Sequence, residues 1–321
     1  MRFVHYPAVI LLGSLMLFSP PDAVRAQDTL TENVESDPQA AKFVFDDVRN
    51  FLAAMDAIAR GEDTVAALQR QYLDRASPGL ILYIEKYDLT TDRLLTAMRE
   101  HPEAYGAIHA KLQALVAALP TFRSTYGDIQ EVIPAAVFPP TYFLVAGHRG
   151  IGSGSTEGPL LSIEKEDPSR IEATLPATLV HEMIHMQQLA ALGPDYFVIF
   201  SGPGRTLLAT SIREGVATFF SEIITGGSEH KNLARDFLLA NEARLWRAFE
   251  EDMSGIDMGD WLWQDPADPE QPQDVGYALG ARIAEAYYEA ADDKGEAAYE
   301  ILSVKDYEAF LAASGYADRF R

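Results

Sequence analysis

Cysteine is absent from all 321 residues of the chain. Its absence excludes disulfides, thiolate metal ligands, a cysteine nucleophile and a lipid-bearing N-terminal cysteine. Any metal must therefore be held by His, Asp or Glu. Positive charge is scarce: 26 Lys and Arg stand against 48 Asp and Glu, a formal net charge of −22. A chain this acidic repels phosphate backbones, and no basic stripe interleaved with aromatics offsets it, so nucleic acid is not an expected partner. Long apolar runs are missing as well. The run Ala8–Phe18 has eleven residues, too few to cross a bilayer as a helix, and no other segment is long and apolar enough to span one.

What surrounds that run gives it a different meaning. Arg2 and His5 precede it, Ser19-Pro20-Pro21 breaks it, and Val24-Arg25-Ala26 places small residues at a cleavage position. Residues 1–26 are therefore expected to be a signal peptide cut before Gln27, which sends the protein to a bacterial periplasm or outside the cell. Cutting removes Arg2, Arg25 and Asp22 and takes the formal charge from −22 to −23. No membrane span is expected after that removal.

Hydrophobic residues make up 48% of the chain, enough for a real core. Residues 27–40 are polar and expected to be a flexible leader. From Ala41 to Arg60 the apolar residues Val44, Val48, Phe51, Met55 and Ile58 recur at helical spacing, with Gly61 as the stop. Similar periods cover Thr64–Arg75, Thr91–Glu100 and Pro102–Leu119, the last ended by Pro120. Residues 41–130 thus read as a helical N-terminal subdomain, and residues 131–321 as the domain that carries the chemistry. His101 and His109 in the helical part have no acidic or histidine partner at ligand spacing and read as surface residues.

The texture changes near Val132. Thr141–Ala146 and Leu160–Glu164 are short apolar runs around a glycine-rich loop, GHRGIGSGSTEG, which predicts an antiparallel hairpin with a long loop. The loop lacks the Gly-Lys-Ser/Thr ending of a phosphate cradle. His148 within it reads as a loop residue. From Asp167-Pro168 onward the pattern is helical. The fold class expected is α+β, predominantly helical, with a small antiparallel sheet over the helix described next.

That helix carries the stretch LPATLVHEMIHMQQLAALG, residues Leu175 to Gly193. Pro176 suits its first turn and Gly193-Pro194 its end. His181 and His185 are four residues apart, so both imidazoles face one spot, as two ligands of a single zinc must. Glu182 lies one residue round the helix, where it can hydrogen-bond a water without displacing a ligand, as a general base does. A second helix, SIREGVATFFSEIITGG, has Ile212, Val216, Phe219 and Ile223 as its buried stripe and carries Glu214, 29 residues after His185. Glu214 is the expected third ligand, with Gly215 and Ala217 small enough to let the two helices approach. Thr218 and Glu222 are candidates for orienting a ligand. His230, after the double glycine, reads as exposed.

HExxH followed by Glu-Gly-x-Ala on a second helix resembles the gluzincin metallopeptidases, zincins whose third ligand is a glutamate. GYALG, residues 276–280, is similar to the Tyr-x-x-Gly segment of gluzincin aminopeptidases, and the combination also resembles a bacterial family of Zn-dependent peptidases known chiefly as a domain of unknown function. The likeness covers about residues 130 to 290. It implies a zincin-like domain, one Zn2+, a peptide or protein substrate, and Tyr277 stabilising the tetrahedral intermediate. The residues themselves also allow Tyr277 to be a buried helix tyrosine. Leu279 stands where the aminopeptidases have lysine, and no Gly-x-Met-Glu-Asn segment is present, so endopeptidase and aminopeptidase activity both stay open. The expected reaction is peptide-bond hydrolysis, with Thr141–Ala146 pairing with an extended substrate. The rival readings are an exported binding or scaffold protein with a structural or degenerate zinc site, and a zinc hydrolase of non-peptide amides.

Overall fold

The computed structural model describes residues 33–150, 152–199, 204–263 and 265–321. The expected signal peptide and the first residues of the polar leader lie outside that set. The rest of the leader is tied down: Glu35 forms an antiparallel bridge with Phe138, and Gln130 Nε2 donates to the Ser36 carbonyl at 2.9 Å.

The chain is mostly helical with one small sheet. A short strand, β1 (Phe43–Val44), takes the residues with which the first helix was expected to open, so α1 runs Asp46–Ala59. α2 (Thr64–Gln71) is capped by Asp63, and α3 (Pro78–Tyr87) by Ser77 with Pro78 in its first turn. α4 spans Thr91–Glu100 as its periodicity predicts. The helix expected over 102–119 is instead α5 (Pro102–Gly106) and α6 (Ile108–Ala117), and α7 (Leu119–Val132) follows at once. Pro120 opens α7 rather than ending its predecessor, because a proline in a first turn gives up no hydrogen bond.

The sheet corrects the expected hairpin. Its strands are β1, β2 (Thr141–Leu144), β3 (Gly152–Ser153) and β4 (Leu160–Ser162), in the order β1-β2-β4-β3. β2 and β4 pair in parallel, β1 and β2 in parallel, and only β3 is antiparallel to its neighbour β4. The sheet is therefore mixed. The connection after β2 is long enough to cross to the outer edge, lay down β3 there and turn back, which returns β4 in the direction of β2. Every residue of β2 and β4 is buried, the two-sided burial typical of parallel strands. Enclosed between β1 and β4, β2 has no edge to offer a substrate. The outer strands are β1 and β3, and β3 is the one that packs against the long helix that follows the sheet.

The next helix, α8 (Ile171–Leu192), is the axis of the molecule. It packs against α6, α7 and β3, and it is buried on nearly every side. It begins earlier than expected, so Pro176 lies inside it and removes the backbone bond to Glu172. After α9 (Asp195–Ile199), α10 (Leu207–Thr225) starts on its Thr206 cap and stops at Gly226 in the left-handed conformation. Ile212, Val216 and Phe219 are buried as the periodicity predicts, whereas Ile223 is 46% exposed. α11 (Glu229–Asp252), α12 (Val275–Ala290), α13 (Lys294–Leu302) and α14 (Tyr307–Ser314) complete the fold.

One hydrophobic cluster runs from Ala41 to Tyr316, and α7 itself crosses residue 130. The helical front and the remainder thus share a core, and β1 of the front completes the sheet of the rest. Among the described residues no helix is long and apolar enough to cross a membrane.

Candidate metal centre

α8 projects His181 and His185 on one face, and α10, packed alongside, brings Glu214 to meet them. Glu214 Oε2 lies 3.4 Å from His181 Nε2 and 3.2 Å from His185 Nε2. The two imidazole rings stand nearly perpendicular, 89° apart with centroids at 4.9 Å. One ligand atom from each of the three residues lies within 4.8 Å of the others, so this buried group could hold a metal ion. Two nitrogens and a carboxylate oxygen are a donor set that suits zinc.

Neighbouring groups hold these ligands in place. His185 Nδ1 is 2.9 Å from Gln188 Oε1, and Gln188 Nε2 donates to the Arg213 carbonyl at 3.0 Å. An amide oxygen can only accept, so Nδ1 carries a proton and Nε2 is the atom that meets Glu214: without a metal it donates to the carboxylate, and with one bound it would offer its lone pair. Arg213 binds Glu214 Oε1, which leaves Oε2 as the oxygen shared with the imidazoles. Neither Arg213 nor Gln188 was singled out from the sequence. Gln188 sits one turn after His185, a spacing that could have marked it; Arg213 carries no such mark, since adjacent helix residues ordinarily diverge.

The charges follow from this packing. Burial opposes the charge on Glu214, yet Arg213 and the two histidines hold its carboxyl well below the ordinary range. Burial pulls the His181 imidazole down. At His185 the nearby Glu214 carboxylate outweighs burial, and the shift is upward. A 5% exposed glutamate with three cationic or potentially cationic partners is satisfied rather than orphaned.

Glu182 is 7% exposed and lies against β3. A Cβ added to Gly152 would fall 2.2 Å from Glu182 Oε1, so this position on the strand must be glycine for the carboxylate to lie where it does. Tyr277, on α12, is also 7% exposed, with its ring centroid 6.0 Å from that of His181. Its hydroxyl accepts a 2.6 Å hydrogen bond from Trp263 Nε1, and burial pushes the phenol well above its usual range.

Gly215 has a different neighbour from the one expected. It lets α10 approach α12 rather than α8: a Cβ there would sit 2.1 Å from the Gly280 carbonyl carbon. A Cβ on Gly280 would lie 1.8 Å from the Ser211 carbonyl oxygen. The glycines of EGVA and GYALG are thus two halves of one helix crossing, which ties the position of Tyr277 to that of Glu214.

Other residues considered from the sequence lie elsewhere. His148 stacks on His101 with ring centroids 3.7 Å apart, so His101 has a histidine partner after all. Thr218 Oγ1 donates to the backbone carbonyl of Glu214, not to its carboxylate, and Glu222 pairs with Arg235 at 2.8 Å. His230 Nε2 lies 3.3 Å from Asp274. No family model matches the chain, and no curated protein or solved structure resembles it significantly.

Proposed function

We propose that the chain is an exported, zincin-like zinc metallopeptidase that hydrolyses peptide bonds, with His181, His185 and Glu214 as metal ligands. The observation that carries the reading is the convergence of three donor atoms from two helices, with a glutamate next to the first ligand pressed against an edge strand. Zinc bound there would supply a positive charge that polarises the scissile carbonyl and makes a water acidic near neutral pH.

Glu182 takes the proton of the attacking water and returns it to the leaving nitrogen. Tyr277 donates its hydroxyl to the oxygen that becomes negative as water adds. β3, the outer strand on the α8 side of the sheet, offers its edge to an extended substrate chain in place of Thr141–Ala146. The likeness to gluzincins in HEMIH, EGVA and GYALG supports the same roles.

The test is zinc content by elemental analysis, followed by cleavage of a peptide library with and without chelator. Glu182→Gln should keep zinc and lose about two to four orders of magnitude in turnover. Wild-type turnover in that variant would refute the general-base role. One observation favours a second reading, a degenerate site in an exported binding protein: Arg213 and the two histidines already satisfy Glu214 as a closed polar network. A chain purified without zinc, and unable to take it up, would decide for that reading.

A further inference from the structure

The loop between α11 and α12 returns to the site through two residues that are strained in the same way. Trp263 and Asp274 both have left-handed backbones, φ 63° and 64°, an unfavourable conformation for side-chain-bearing residues that persists only where the surroundings enforce it. Here the surroundings are the Asp274 carboxylate. Its Oδ1 accepts the Trp263 backbone N–H at 2.9 Å, and its Oδ2 accepts Lys231 Nζ at 2.9 Å, with His230 Nε2 at 3.3 Å. Lys231 also lies 3.2 Å from the centroid of the Tyr277 ring. The result is a clasp: Asp274 and Lys231 hold one face of Tyr277 and the backbone of Trp263 together.

The clasp delivers the Trp263 indole to the Tyr277 hydroxyl at 2.6 Å. An indole N–H can only donate, so the phenol oxygen must be the acceptor. Among the described residues the Tyr277 hydroxyl has no other hydrogen-bond partner, which leaves its own proton for something not part of the fold. A hydroxyl that accepts one hydrogen bond also becomes a better donor in the next. Trp263 is 44% exposed and Tyr277 is 7% exposed, so the indole caps the phenol from the solvent side.

We propose that Trp263 is a positioning residue: its indole N–H occupies the acceptor side of the Tyr277 hydroxyl and so aims the tyrosine proton at the substrate oxygen, while the Asp274–Lys231 pair holds the indole there. The inference rests on the reading of Tyr277 as the oxyanion donor.

Two measurements test it on the full-length mature chain loaded with zinc. The first needs no activity. In 15N-labelled protein the Trp263 indole N–H, assigned by substitution against Trp246 and Trp261, should shift upfield and exchange faster in Tyr277→Phe; an unmoved resonance would overturn the proposal. The second is kinetic. Trp263→Phe keeps an aromatic ring at a partly exposed position and should lower kcat roughly fivefold to tenfold with KM and zinc content held. In a Tyr277→Phe background the same substitution should cost nothing further. Equal losses in both backgrounds, or a change confined to KM, would show a merely structural or substrate-binding role. Asp274→Asn, which weakens the clasp without touching the indole, should reproduce the kcat loss in part. A wild-type protein that holds zinc but cleaves no peptide would sink the peptidase reading, and the indole resonance would still decide whether Trp263 orients the phenol.

Discussion

Replacing Gly280 by alanine tests the helix crossing on which the site depends. An alanine Cβ would lie 1.8 Å from the Ser211 carbonyl oxygen, where ordinary contact begins at 3.4 Å. Both partners are backbone, so no rotamer change relieves the clash; α10 and α12 must part by about 1.6 Å, a typical overpacking strain of about 1–3 kcal/mol, here at the upper end. Against this stands the helix propensity that alanine gains over glycine, about 1 kcal/mol. The net expectation is a loss of about 2 kcal/mol, or roughly 4 °C in Tm for a chain of this size. Gly127→Ala is the control, because that glycine is inside α7 and a Cβ there meets nothing within 4 Å. It should be neutral or stabilising by up to about 1 kcal/mol. Thermal and urea unfolding of the two variants, followed by circular dichroism, separates clash from propensity. If Gly280→Ala were as stable as Gly127→Ala, the close approach of α10 and α12 would be refuted, and with it the coupling of Tyr277 to Glu214.

Three further outcomes follow from the same geometry. Glu214→Ala removes the carboxylate shared by Arg213, His181 and His185, so it should abolish zinc retention and destabilise the metal-free protein by about 3–5 kcal/mol; urea unfolding with a wild-type midpoint would contradict the buried network. Gly152→Ala pushes a methyl group into the Glu182 carboxylate, so zinc binding and Tm should survive while turnover drops; unchanged turnover would show that Glu182 need not lie against β3. Glu164 is buried at 2% exposure, with Oε2 lacking a partner among the described residues, and burial raises its pKa from 4.5. The folded state then holds the proton more tightly than the unfolded one, so the stability that Glu164 contributes falls as pH rises above about 4.5 and through the raised folded value. Glu164→Gln should therefore gain on wild type in urea midpoint between pH 4.5 and pH 7, and parallel curves would show that the carboxyl ionises freely.

The divide between what was legible in the chain and what was not follows from the range of the forces involved. His181, Glu182 and His185 share one helix, and a helix's own period places them, so their grouping could be read before any tertiary contact was known. The same holds for α4, whose caps and apolar spacing are local, and for Gly226 as the stop of α10. Glu214 could be named from its place on the next amphipathic helix beside the small residues Gly215 and Ala217, but its 3.2 Å approach to His185 comes from α10 packing on α8.

The errors lie where distant segments decide. Phe43 and Val44 fall within the helix expected over Ala41–Arg60, and Val44 fits its period, yet the edge of β2 claims both as a strand. Two apolar runs around a glycine loop look like a hairpin until β3 takes the outer edge and forces β4 parallel to β2. Arg213, Lys231, Asp274 and Trp263 are ordinary residues in their own segments. They become part of the site only because four helices, α8, α10, α11 and α12, and a long loop converge there. Spacing along one element is set by backbone geometry and is written in the sequence. Which elements meet is set by the shared core, from Ala41 to Tyr316, and that is a property of the whole chain at once.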